Sequence, residues 1–112
     1  MAVDGDFCPY FQQAVELIGR RYSGAITRTL MAGPLRFSEL ERSIPGISAR
    51  ALTLRLRELE NAGIVARQVE PTSPVRVTYE LTDKGRALDD VVAELEHWAH
   101  DWLAPAEHAH AS

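Results

Sequence analysis

Arg50, Thr53, Leu54 and Arg57 are the residues of this 112-residue chain whose types and spacing offer the most specific chemistry. A guanidinium can grip O6 and N7 of guanine with two hydrogen bonds, a hydroxyl can meet either partner of a base pair, and an aliphatic side chain can meet the methyl of thymine. All four lie in the stretch SARALTLRLRELENAG, residues 48–63, where Leu52, Leu56 and Leu59 recur at helical spacing. On a helical wheel the three leucines fall within about 60° of one another, with the four polar-face residues opposite and Arg55 on a flank. The pattern predicts a helix that packs through its leucines and turns two arginines, a hydroxyl and a leucine outward, a set suited to the major groove. The bland alternative is a solvated helix that happens to carry arginine.

Other reactive side chains are few. Cys8 is the only cysteine, so no disulfide forms within the chain. Standing before Pro9, it falls at a predicted helix start, where the aligned backbone favours anions, thiolate among them. Asp4 and Asp6 oppose ionisation, and no Lys or Arg is near in sequence, so an idle or packing cysteine is the competing reading. His97 and His100 stand one helical turn apart, with His108 and His110 in the tail. Two such ligands and a tail make a poor metal site, and surface histidines are expected. No nucleophile elbow, phosphate-cradling glycine loop or structurally paired acids occur, so neither an enzyme nor a cofactor is expected.

These residues must be positioned by a small set of elements. PYFQQAVELI predicts a first helix in the segment 8–20, with Pro9 at its first position and Gly19 as its stop. SGAITRTLMAG predicts a second helix capped by Ser23, whose hydroxyl and neighbouring N–H groups suit a phosphate, with Tyr22 in reach of the same backbone. LRF is a short extended piece, and SELERSI a third helix with Ser38 and Glu41 as a capping box and Arg36 beside it as a phosphate contact. Ser48 caps the recognition helix, 48–62, whose start carries Arg50. The period then changes. IVARQVE and RVTYEL alternate around a proline-flanked tip and predict a hairpin over 64–81, carrying Arg67 and Arg76. Arg76 suits a minor groove, or else pairs with Glu70 or Glu80. Thr82 caps a long last helix, 82–104.

A helix-turn-helix followed directly by a two-stranded wing is the winged-helix arrangement. The expected fold is therefore mainly α with a small β-hairpin (α+β), one winged helix-turn-helix domain over 1–112 with terminal dimerisation helices. The dimer expectation rests on Leu95, Trp98 and Trp102 on the apolar stripe of the last helix, facing Tyr10, Phe11 and Val15 of the first. A twofold pair would set two recognition helices about one DNA turn apart and bind an inverted repeat. The alternative is that the tryptophans fold back onto their own subunit.

The charge layout suits a polyanion. The net charge is −4, yet all twelve Lys and Arg lie between Arg20 and Arg86 against seven acids, a balance of +5, while the flanking ends carry −3 and −6. Apolar stretches are short and broken by charge, and MAVDGDF lacks the basic start and apolar run of a signal peptide, so a cytoplasmic protein with no membrane contact is expected.

From Cys8 to about Trp98 the chain resembles HxlR-type transcriptional regulators, through Cys8-Pro9, RFSEL, IPGIS, LTLRLRELENAGIV and PVRVTYELTDKG. The resemblance implies a homodimeric, double-stranded-DNA-binding regulator, with an oxidant, electrophile or small molecule as effector and, in some members, a cysteine at the Cys8 position as the redox switch. RRYSGAI departs from the family habit of a tryptophan and a bulkier continuation, and Leu54 stands where a polar residue such as Gln is common. The competing function is a winged helix used for protein–protein contact without specific DNA binding.

Overall fold

The computed structural model describes residues 7–105. Helices α1 (Pro9–Ile18), α2 (Ser23–Leu30), α3 (Phe37–Ser43) and α4 (Ala49–Asn61) are followed by strands β1 (Val65–Glu70) and β2 (Arg76–Leu81), then α5 (Asp83–Arg86) and α6 (Asp89–Trp102). The strands pair antiparallel from Val65–Leu81 to Glu70–Arg76. Leu35 adds one bridge to Tyr79, exchanging two backbone hydrogen bonds of 3.0 and 2.7 Å, so LRF is the third, minimal rung of the wing.

The core sits under α4. Leu52, Leu56 and Leu59 are buried against Ile26 and Leu30 of α2 and Leu40 of α3, and Ile44, Ile47, Ile64, Val65 and Leu81 close the ends. The leucine face predicted for α4 is thus its packing face, which fixes the opposite face toward solvent.

The TDKG segment secures the far end of α4. The Thr82 hydroxyl donates to the carbonyl of Gly63 and accepts from the Gly85 N–H at 3.1 Å, and Lys84 Nζ donates to the Ala62 carbonyl at 2.7 Å. Gly63, at φ +77°, makes the left-handed turn from α4 into the wing. Gly85 packs so closely on Ile64 that an added Cβ would lie 2.3 Å from its carbonyl oxygen.

Three expectations need correction. The last helix is two: Thr82 caps only the single turn α5, and the backbone at Ala87 and Leu88 opens to ψ of −13° and −2° before α6 begins. The turn α5 is held by the wing base while α6 lies along α2, so one straight helix cannot serve both surfaces. The third helix starts at Phe37, and its box is closed by Glu39, whose carboxylate accepts from the Arg36 N–H at 2.8 Å, because Phe37 packs toward the core and draws the start forward. The second helix is entered through Tyr22 in a left-handed conformation (φ 74°), so Ser23 is its first helical residue and does not cap it.

The end helices add little to the core. In α1 no residue is buried, and in α6 only Val92 is. Tyr10, Phe11, Val15, Leu95, Trp98 and Trp102 are all exposed, with Trp98 at 52% and Trp102 at 73%, so the tryptophans do not fold back onto the chain.

Candidate nucleic-acid interface

Ser48 caps α4, its Oγ accepting from the Ala51 N–H at 3.0 Å. With the leucines turned inward, Ala49, Arg50, Thr53, Leu54 and Arg57 line a shallow groove of about 390 Å³ on the open face. Leu54 is 47% exposed, a large apolar surface amid charge. Thr53 donates its hydroxyl to the Ala49 carbonyl at 2.8 Å, leaving its oxygen free to accept. Among the described residues neither Arg50 nor Arg57 forms an ion pair, so both guanidiniums present their full donor set.

The groove continues onto the wing. Thr53 and Arg57 also line a cleft of about 350 Å³ with Phe37, Glu60, Arg67 and Tyr79. Phe37 in turn borders a cleft of about 630 Å³ that gathers Arg36, Ser38 and Arg76 beneath the wing tip. Those three meet Arg42 and Thr78 in an adjoining cleft of about 560 Å³. Six arginines, 36, 42, 50, 57, 67 and 76, therefore follow one band from α3 across α4 and the wing. Arg67 was evident in the sequence as a basic residue of the hairpin, whereas Arg42 was not singled out. Arg42 lies four residues after Ser38, hence on the same face of α3, and that spacing is the signal that points to it.

Arg76 is the exception to the free donors. Its Nε lies 3.9 Å from Glu70 Oε1, its partner across the ladder, an exposed and loose pairing that a phosphate can displace.

Two predicted contacts fall elsewhere. Ser23 is 1% exposed and its N–H donates to the Arg20 carbonyl at 3.0 Å, so neither its hydroxyl nor that amide faces a phosphate. Tyr22 donates its hydroxyl to the Gly46 carbonyl at 3.3 Å and tethers the α1–α2 turn to the α3–α4 turn. The left-handed Tyr22 displaces the helix start and with it Ser23.

Cys8 is the N-cap of α1 and is exposed, with its Sγ accepting from the Phe11 N–H at 3.4 Å. Asp4, Asp6, His108 and His110 lie outside the described residues. His97 faces Asp101 at 3.5 Å, and among the described residues no cluster of three metal-ligating side chains occurs. No described helix is long and apolar enough to cross a membrane.

The pattern of the HxlR-like helix-turn-helix family matches residues 17–107. The HTH-type transcriptional regulator YvaP of Bacillus subtilis (strain 168) is 44% identical over 101 residues, covering 90% of this chain and 94% of that protein. The regulator YodB of the same organism is 46% identical over 100 residues, 89% of each chain. The structure of reduced YodB superposes with a TM-score of 0.79 over 86% of this chain and 94% of that one, at 47% identity. YodB has also been solved treated with diamide and bound to a quinone. The redox regulator HypR in its oxidised form superposes with a TM-score of 0.77 over 82% of this chain and 94% of that one, at 39% identity.

Proposed function

Because the chain belongs to the HxlR-like helix-turn-helix family and is a DNA-binding transcriptional regulator, we propose that it works as a homodimer that reads an inverted-repeat operator and releases or grips it in response to an oxidant, an electrophile or a small effector. The continuous arginine band across α3, α4 and the wing carries this reading. Arg50, Thr53, Leu54 and Arg57 meet base edges, while Arg36, Arg42, Ser38 and Arg76 hold the backbone around them. The exposed apolar stripes of α1 and α6 supply the twofold contact, which keeps the acids of α6 on the side away from the DNA. Cys8 is the response element of this reading, since it is the one thiol, is exposed, and caps a helix that belongs to the dimer contact. The relatives described as a redox regulator and as quinone-bound favour that assignment.

The test is a duplex selected by the wild-type protein from a random-sequence pool. Affinity for it should fall steeply as salt rises. Arg50→Ala should weaken it by about 1–3 kcal/mol through a lost guanine contact, whereas Arg76→Ala should weaken selected and unrelated duplexes alike. A double variant that binds the selected duplex as wild type does would refute the interface. A wild type that selects no sequence would leave protein–protein contact as the function.

A further inference from the structure

Arg55 stands between the two arginines of the recognition face, yet its side chain is only 20% exposed. Its Nε donates to the Arg21 carbonyl at 2.9 Å, across 34 residues of sequence, and its Nη1 to Glu58 Oε1 at 2.9 Å. Glu58 is shared, because Arg20 Nη1 lies 3.8 Å from its other oxygen. Residues 20–22 form the turn between α1 and α2. That turn holds the left-handed Tyr22, whose ring lies under the Arg21 guanidinium at 4.9 Å and whose hydroxyl reaches Gly46. No residue of α1 is fully buried, so this turn, together with Leu17 packed against the core, ties it to the body.

We propose that Arg55 is a positioning residue, tying the recognition helix to the α1–α2 turn through the Arg21 carbonyl and Glu58, so that the setting of α4 in the groove follows the position of α1. Its planar fork suits the task, one edge meeting a carbonyl while the other holds a carboxylate. With the Nε and an Nη1 N–H engaged and the side chain only 20% exposed, the guanidinium is held to its own fold, and a phosphate would meet only its remaining N–H groups. The proposal rests on the DNA-binding reading and adds that a residue off the interface governs how well α4 fits its site.

The experiment compares wild type, Arg55→Gln, Glu58→Gln, the double variant and Arg36→Gln, as full chains, on the wild-type-selected duplex and an unrelated duplex of equal length, across a salt series. Arg55→Gln should lose about tenfold on the selected duplex, with unchanged affinity for the unrelated one and an unchanged slope of log affinity against log salt. Glu58→Gln should move the same way, and the double variant should lose no more than Arg55→Gln alone, as members of one network do. Arg36→Gln is the contrast. As its guanidinium holds a phosphate in the proposed interface, the slope falls by about 0.9. A slope reduced by Arg55→Gln would make Arg55 a phosphate contact and overturn the proposal, as would wild-type affinity on the selected duplex. If Arg55→Gln fails to fold, Glu58→Gln carries the same test, since it keeps the Arg21 bond. Failure of wild type to prefer its selected duplex would instead strike the DNA-binding reading itself.

Discussion

Replacing Gly85 with alanine tests the packing that holds the wing against the recognition helix. Gly85 lies in the single turn α5, where alanine would by itself be favoured by about 1 kcal/mol. The added Cβ, however, would sit 2.3 Å from the Ile64 carbonyl oxygen and 3.1 Å from Leu81 Cδ2. An ordinary carbon–oxygen contact is about 3.3 Å or longer, so the wing base must retreat by about 1 Å. The same Ile64 carbonyl accepts from the Thr82 N–H at 3.0 Å and the Thr82 hydroxyl at 3.3 Å. Overpacking costs about 1–3 kcal/mol, and a lost buried hydrogen bond about 1–3 more. Less the gain in propensity, the loss should be about 1–5 kcal/mol. With a urea slope of about 1.5 kcal/mol per molar, the unfolding midpoint should drop by about 0.7–3.3 M at equal protomer concentration. Gly24→Ala is the matched control. Its nearest contact would be an ordinary 3.6 Å, so it should hold or gain about 0.5 kcal/mol. A Gly85→Ala midpoint at or above wild type would refute the argument that close approach requires glycine there.

Three further outcomes follow from the surface. Mild oxidant or a quinone should change the affinity of wild type for its selected duplex and leave Cys8→Ser unaffected; a Cys8→Ser protein that responds equally would assign the response to a bound effector. Sedimentation should find wild type dimeric at micromolar concentration and the Trp98→Ala, Trp102→Ala variant shifted toward monomer, whereas a variant that stays dimeric would move the contact away from α6. Replacing thymine by uracil in the selected duplex should cost about 0.8 kcal/mol, about fourfold, where Leu54 covers the methyl; if Leu54→Ala shows the same discrimination in an anisotropy titration, Leu54 does not read that group.

The parts of this molecule that repeat were legible in its sequence. The leucines of α4 recur at helical spacing, and burial of that face determined which arginines point outward. The alternation of the wing and the stop at Gly63 were equally plain. What escaped notice depends on distant partners. A serine before an apolar run reads as a cap, but the helix is entered through a left-handed tyrosine whose hydroxyl is tied to distant Gly46. Residues 82–104 read as one helix in sequence, but α5 answers to Ile64 and α6 to α2. Arg55 looks like its neighbours until its contact with Arg21, 34 positions away, is seen.

The opening at Ala87 and Leu88 makes α6 a lever. Beyond that joint its named anchors are Val92, buried near its foot, and the Arg28–Glu96 pair at 3.2 Å. Fourteen residues at about 1.5 Å each give an arm of about 21 Å. A tilt of about 5° at the joint swings the tip by about 2 Å, and in the proposed dimer two arms meeting about a twofold axis would double that. The sum is close to the rise of one base pair, about 3.4 Å. In such a dimer a change at the joint too small to disturb either core is enough to put the second recognition helix one step out of register with its half-site.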